Sequence, residues 1–169
     1  MVVPHNVRIV ILMGVTGSGK TTIGQRLAKD VNWVFHDGDD FHPPANVDKM
    51  RRGIPLTDED RAPWLAALEH LIRDLIMQGQ SAVISCSALK QSYRDRLAAN
   101  RDEVVFVYLK GDYRLARERL LSRKGHFMKA DLLASQFDAL EEPEGVLTVD
   151  FAQEPDVIVG QIRQALGLS

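Results

Sequence analysis

The sequence predicts a three-layer α/β domain built around a mostly parallel sheet. Apolar, β-branched runs recur along the chain with helical patterns between them, an alternation typical of this class. The runs span residues 7–13, 33–35, 82–85, 104–109 and 146–149. The first is apolar at almost every position, as expected of a parallel strand buried on both faces. Because 169 residues is the size of one domain, we expect a single domain over 1–169.

The longest predicted helix follows the loop after the second run. A core-facing stripe at three- and four-residue spacing extends from Trp64 to Ile76, with Gly79 as the expected stop. This helix should begin near Asp60. Between the third and fourth runs, residues 87–101 are long enough for a right-handed crossover helix.

Three helices are predicted in the last third of the chain. Asp112 can cap a helix that runs to about residue 122. Apolar spacing marks a second over residues 133–140, and the third spans residues 155–166, with proline at its start and glycine after its end. Residues 41–59 and 123–129 are expected to be irregular.

A phosphate-binding loop is predicted at residues 14–21, which carry the complete G-x-x-x-x-G-K-S/T signature. Glycines let successive N–H groups converge on phosphate oxygens, Lys20 adds positive charge, and the Thr21 hydroxyl can ligate Mg²⁺. The following helix presents its N-terminus to the same anion. A glycine-rich turn without a ligand is the alternative, and the buried strand before the loop favours phosphate binding. The expected nucleotide contacts are Gly14, Val15, Thr16, Gly17, Ser18, Gly19, Lys20, Thr21 and Thr22.

A second polar cluster follows the second run: residues 36–42 hold three carboxylates and two imidazoles. Placing so many polar and charged side chains together costs free energy unless a ligand binds there. Phosphoryl transfer to a hydroxyl requires one carboxylate to orient or deprotonate it and another to hold Mg²⁺ waters. We assign Asp39 to the first role and Asp37 to the second, and Gly38 should let both share a cavity. A solvated Asp-rich turn is the alternative.

Basic side chains are expected on either side of this cluster. Arg61 begins the long helix, while Lys90 and Arg94 follow the third run, and each is a candidate to hold a substrate carboxylate. A cationic stretch near residue 123 is a candidate lid, because a closing arginine stabilises the charge of phosphoryl transfer and excludes water. We assign Arg123 to this role; for Arg119, an exposed helix face is an equally good interpretation.

The charge composition of the chain indicates which kind of molecule it binds. The chain has 21 basic and 23 acidic side chains, a formal net charge of −2, which argues against nucleic acid or an anionic membrane and fits a small soluble substrate. The single cysteine, Cys86, is compatible with a reducing compartment. No apolar stretch approaches a membrane span and no export signal is apparent, so a cytoplasmic location is expected.

These motifs resemble those of the gluconokinases of the small P-loop kinase type, which are relatives of shikimate kinase and adenylate kinase. The resemblance extends over nearly the whole chain. It rests on residues 14–21, 37–39, 42–43, 46–50, 55–56, 58, 60–61, 63–65, 86–90, 93–94, 108–111, 123 and 125–127.

The resemblance implies ATP-dependent phosphorylation of D-gluconate at its 6-hydroxyl, with ATP and Mg²⁺ as cofactors. It also implies a five-stranded parallel sheet, adenylate-kinase-like, with a substrate-binding insertion at 41–60 and a short lid at 123–129. A homodimer is expected at the level of the family only.

Residue roles are also implied by likeness to these kinases. By analogy with shikimate kinase, Asp37 falls at a Mg²⁺-associated position, Asp39 where substrate hydroxyls are held, and Arg61 where a substrate carboxylate is met. His42 and Gln136 are further expected substrate contacts. Arg117 is expected near the adenine.

Two rival functions stay open. A kinase of another small hydroxy acid, shikimate-like, would call for a glycine triplet where this chain has Ser85, Cys86 and Ser87. A nucleotide kinase would usually carry a longer lid. A non-catalytic, nucleotide-gated binding module is the second rival, although neither a D-x-x-G after the second strand nor an N-K-x-D guanine motif is found.

Overall fold

The computed structural model describes residues 7–122 and 131–168. Within these residues five strands form one sheet in the order β2-β3-β1-β4-β5, and every neighbouring pair is parallel. This architecture confirms the predicted fold class. The strands are β1 (Ile9–Met13), β2 (Val34–Asp37), β3 (Ala82–Ser85), β4 (Val104–Lys110) and β5 (Leu147–Asp150).

Helices connect the strands and lie on both faces of the sheet. They are α1 (Lys20–Val31), α2 (Pro44–Arg51), α3 (Asp58–Met77), α4 (Gln91–Ala98), α5 (Tyr113–Ser122), α6 (Asp131–Ala139) and α7 (Pro155–Leu166), with a 3₁₀ turn at Gly38–Phe41. The helices predicted after residue 60 are all present. The proposed lid, residues 123–129, lies outside the described residues.

The prediction that residues 41–59 are irregular is wrong. Helix α2 starts at Pro44, a residue whose missing N–H and preset φ suit the first turn of a helix. Helix α3 starts two residues before Asp60 because a capping box ends the loop: Thr57 Oγ1 accepts from the Asp60 backbone N–H at 3.1 Å, and Asp60 Oδ2 accepts from the Thr57 N–H at 2.9 Å.

Two apolar layers enclose the sheet, one on each face. Val10 and Leu12 of β1 pack with buried residues of α1, α5 and α7, whereas Ile9, Ile11 and Met13 pack with α3 and α4. All positions of β1 are buried, which confirms the pattern expected of a central parallel strand.

The strand order places a crevice at one edge of the sheet. The connection that leaves β1 runs to β2 on one side of it, whereas the connection that leaves the adjacent β3 runs to β4 on the other side. A crevice therefore opens at the carboxyl ends of β1 and β3. The phosphate loop leaves β1 at this edge, and the acidic segment leaves β2 at the same edge. In the described part of the chain, none of the helices has the length and apolar character needed to cross a bilayer.

Candidate active site

The loop after β1 has the backbone geometry of an anion-binding turn. Gly17 (φ 81°) and Gly19 (φ 93°) occupy the left-handed region, and a Cβ on Gly17 would lie 2.4 Å from the Ala116 carbonyl oxygen. Only glycine therefore fits at residue 17. Helix α1 has no side-chain cap and no acidic residue in its first turn, so the positive end of its dipole favours an anion at this loop. The Lys20 ammonium is held over the loop by the carbonyls of Gly14 (3.0 Å) and Val15 (2.9 Å).

The acidic segment is anchored at the end of β2. Asp37 Oδ1 accepts from the backbone N–H of Asp39 at 3.0 Å and from the Ser85 hydroxyl at 3.3 Å, so Asp37 caps the 3₁₀ turn that carries Asp39. The indole Nε1–H of Trp64 donates to the Gly38 carbonyl at 2.8 Å. These contacts from β3 and α3 anchor the two residues that precede Asp39.

Two cavities open side by side at this edge of the sheet, and both are lined by Thr16, Lys20 and Asp39. We call the one lined by most of the phosphate loop the phosphate-side cavity, and the one that extends towards α2 and α3 the acceptor-side cavity. The phosphate-side cavity is further lined by Gly17, Gly19, Thr21, Thr22, Asp37 and Asp40. The phosphate loop and the acidic segment therefore meet in a common cleft, with Lys20 and Asp39 at the junction.

The acceptor-side cavity combines an apolar wall with a few polar groups. Met50, Leu56 and Trp64 contribute apolar surface, and His42 and Arg61 contribute polar atoms. The His42 ring is stacked on Trp64 at 4.3 Å between centroids and 12° between planes. Burial, together with the neighbouring Arg61 charge, lowers the pKa of His42 to about 4. This imidazole is therefore neutral near pH 7.

Two expected substrate residues of this cavity also make contacts within the protein. Arg61 Nη1 donates to the Tyr93 hydroxyl at 3.1 Å and its guanidinium lies 5.6 Å from the centroid of the Tyr93 ring. Gln136 Oε1 accepts from the Thr16 backbone N–H at 2.7 Å, which ties α6 to the phosphate loop. The sequence analysis counted Tyr93 in the family resemblance but gave it no role at the site, because its local pattern does not distinguish it from a core aromatic.

The structure does not bring Arg94 to either cavity. Its side chain is buried and donates to the carbonyl oxygens of Ala88 (2.7 Å), Leu89 (3.1 Å) and Glu141 (2.7 Å). A buried guanidinium whose two terminal nitrogens donate to backbone carbonyls has a structural role, so the assignment of Arg94 to a substrate carboxylate is corrected. Lys90 lines neither cavity and pairs with Asp58 at 2.9 Å, so a substrate contact for Lys90 stays a prediction.

Helix α5, which carries Arg117 and Arg119, packs against the phosphate loop at Gly17. Arg117 is exposed and lines neither cavity, so its proposed adenine contact stays a prediction. Arg119 lies over the Phe151 ring at 5.3 Å, and its Nη1 would be 3.9 Å from a Cβ on Gly19. Of these two, Arg119 is the one beside the loop. Arg123 lies outside the described residues.

The donor set of the phosphate-side cavity suits magnesium bound together with phosphates. Thr21 and Asp37 both line this cavity. Among the residues that the structure describes, no group of three or more His, Cys, Asp or Glu side chains could hold a metal ion by itself. A hydroxyl and one carboxylate, completed by phosphate oxygens and water, is a common way for proteins to hold Mg²⁺.

Comparison with known proteins identifies the family. Residues 9–143 match a family model described as an AAA domain. A gluconokinase from Gluconobacter oxydans (strain 621H) is 45% identical over 158 residues, covering 92% of this chain and 89% of the relative. An unliganded sugar kinase from Janibacter sp. HTCC2649 has a TM-score of 0.91 at 41% identity, covering 97% of this chain and 96% of that one. A gluconokinase from Sinorhizobium meliloti 1021 has a TM-score of 0.80 at 39% identity, covering 94% and 95%. On this likeness the chain belongs to the gluconokinase family of P-loop kinases.

Proposed function

We propose that the protein is an ATP-dependent gluconate kinase, which transfers the γ-phosphoryl group of ATP to the 6-hydroxyl of D-gluconate and releases ADP. One observation carries the proposal: Lys20 and Asp39 line both cavities. A phosphate held by the loop and a hydroxyl held by the acidic segment would therefore meet at a single point. Family membership supplies the substrate, since relatives of similar length are named gluconokinases.

Each residue at the junction would have its own role in phosphoryl transfer. Lys20 and the loop N–H groups would hold the phosphates, and Thr21 with Asp37 would hold Mg²⁺, which neutralises phosphate charge when bound. Asp39 would orient the acceptor hydroxyl and take its proton. As the new oxygen–phosphorus bond forms, the bond between the γ-phosphorus and the bridging oxygen breaks, and ADP leaves with that electron pair.

Recognition of gluconate would fall to the acceptor-side cavity. Arg61 supplies the positive charge for the sugar-acid carboxylate, and its contact with Tyr93 limits the freedom of the guanidinium. Asp39, His42 and Gln136 are the proposed partners of the hydroxyl groups. Arg123 remains our proposed lid residue, closing over the transferred phosphoryl group.

A direct comparison of acceptors tests the function. ADP release should be measured by a coupled assay with gluconate, shikimate and AMP side by side, and we expect acceptor-dependent turnover with gluconate. Faster turnover with shikimate or AMP would reassign the substrate. Nucleotide binding without stimulation by any acceptor would favour the binding-module alternative.

Replacing the proposed base tests the mechanism. Asp39→Asn should lower kcat about 10²- to 10⁴-fold, the usual contribution of a positioned general base, and should change the KM for ATP little. Asp48→Asn is the matched control, because Asp48 is exposed on α2 and lines neither cavity. Near-normal turnover of Asp39→Asn would exclude Asp39 as the base.

A further inference from the structure

The orientation of the His42 ring is set by neighbours from three elements. Its backbone N–H donates to the Asp39 carbonyl at 3.2 Å, its ring face lies on Trp64, and its Nδ1 lies 3.2 Å from Asn46 Nδ2. Asn46 is only 3% exposed. A buried amide in this position must satisfy its own hydrogen bonds within the protein.

A second contact decides which way round the Asn46 amide lies. Asn46 Nδ2 is 2.8 Å from the Asp60 backbone carbonyl oxygen. That oxygen only accepts hydrogen bonds, so the atom facing it must be the amide nitrogen. The second N–H of the same nitrogen then faces His42 Nδ1, which must be an acceptor. An imidazole whose Nδ1 accepts carries its proton on Nε2.

We propose that Asn46 is a positioning residue which holds His42 as the neutral Nε2–H tautomer, so that His42 donates a hydrogen bond to a hydroxyl of the acceptor substrate. The proposal rests on the proposed gluconate kinase function and adds to it. With a donor at His42 and an acceptor at Asp39, the cavity would select hydroxyl groups, because a hydroxyl can accept at one contact and donate at another. A carbonyl group can only accept.

The positive charges of Lys20 and Arg61 favour a neutral His42 ring, and the negative charge of Asp39 opposes them. Arg61 of α3 and Lys20 of the phosphate loop are positive, and both line the cavity with His42, whereas Asp39 of the 3₁₀ turn is negative. Protonation of Nδ1 would turn an N–H towards the Asn46 N–H. The pKa of His42, lowered to about 4, agrees with a ring that stays neutral.

Nuclear magnetic resonance can read the tautomer directly in the intact protein. A long-range ¹H–¹⁵N correlation spectrum, recorded from about pH 6 to about pH 8 where an ordinary histidine titrates, should show a protonated Nε2 and an unprotonated Nδ1 for His42. A proton on Nδ1 in this range would overturn the proposal. This result does not depend on turnover, so a failure here is distinct from a failure of the gluconate kinase assignment.

A pair of substitutions tests what the tautomer does. The amide of Gln reaches about as far as Nε2 and that of Asn only as far as Nδ1, so His42→Gln can keep the donor that His42→Asn removes. We expect the KM for gluconate to rise about 10- to 100-fold in His42→Asn and much less in His42→Gln, the range expected for one lost hydrogen bond in a buried site. The KM for ATP should not change. Equal KM values for gluconate in the two variants would overturn the proposal. The exposed His70→Asn is the control and should behave as the unmodified protein.

Substitution of Asn46 separates positioning from simple support of the fold. In Asn46→Asp a carboxylate would accept from Nδ1–H, which reverses the tautomer and raises the pKa of His42. Below that new pKa both nitrogens are protonated and Nε2–H survives; above it Nε2 becomes an acceptor. The KM for gluconate should therefore rise with pH in Asn46→Asp and not in the unmodified protein. A KM raised equally at every pH would show a merely structural role and overturn the proposal.

Discussion

Residue 38 shows how a single position decides the geometry of the site. A Cβ on Gly38 would lie 2.3 Å from the Ser85 carbonyl oxygen, closer than packed atoms approach. We expected glycine here because the chain had to turn so that Asp37 and Asp39 could share a cavity. They do share the phosphate-side cavity, but Gly38 lies in a 3₁₀ turn, so the requirement is close approach of the backbone to β3.

Gly38→Ala should therefore destabilise the protein and displace Asp39. We expect a loss of about 1–3 kcal/mol in the free energy of unfolding, the usual cost of overpacking, together with a lower kcat. Gly160→Ala is the matched control: nothing lies within 4 Å of its added Cβ, and alanine in a helix interior should stabilise by about 0.5–1 kcal/mol. Urea unfolding measures both. Unchanged stability in Gly38→Ala would contradict the close contact.

At the scale of elements, Arg94 joins the start of α4 to the segment after α6. Its guanidinium donates to the carbonyls of Ala88, Leu89 and Glu141, so it stabilises backbone outside the helices and strands. Arg94 was predicted as a substrate contact because it is basic and follows β3, whose carboxyl end was expected at the cleft. Burial depends on packing with α6 and the residues after it, which that spacing does not encode.

Arg94→Lys tests the structural role. A lysine cannot reach all three carbonyls from one site, so we expect a loss of about 2–4 kcal/mol in the free energy of unfolding and little change in the KM for gluconate. Arg114→Lys, at a side chain 89% exposed, is the control. A large rise in KM with stability retained would restore a substrate role for Arg94.

The N-terminus of α3 makes stability depend on pH. Hydrogen bonds from Lys49, and then from Thr57, lower the pKa of Asp60 from 3.8 to about 2. Because the folded pKa lies below the unfolded one, the contribution of Asp60 is fully present above about pH 4 and is lost as the pH falls towards 2.

Across that window the unmodified protein should lose stability relative to Asp60→Asn, which has no proton to bind at this position. Urea unfolding at a series of pH values measures the difference. Glu59→Gln removes one exposed negative charge from the same turn and is the matched control. If the free energy of unfolding changed with pH in the same way in the unmodified protein and in Asp60→Asn, the result would contradict a role for Asp60 in this pH dependence.

At the scale of the whole molecule, the sheet separates two apolar layers, and one of them supports the cleft. Leu68 of α3 is fully buried in the layer that also carries Trp64, and Trp64 holds the backbone beside Asp39. The stability of that layer and the position of the proposed base are therefore coupled.

Leu68→Ala should lower the free energy of unfolding by about 2–5 kcal/mol, because the cavity left in a packed core adds to the lost transfer free energy. Met77→Ala, at the exposed end of the same helix where Met77 is 76% exposed, should have little effect. Thermal and urea unfolding measure both variants. Equal losses would contradict the burial pattern of α3.

The sequence by itself determined the five strands, the phosphate loop and the acidic segment, because apolar periodicity and glycine spacing are local properties of the chain. It did not reveal α2, whose eight residues carry too few apolar positions for a clear stripe. Only the tertiary structure decided that Arg61 lines the cleft while Arg94 is buried against carbonyls, and that Asn46 faces His42. Those outcomes depend on which distant residues become neighbours when α3, α4 and α6 pack, and no local pattern contains that information.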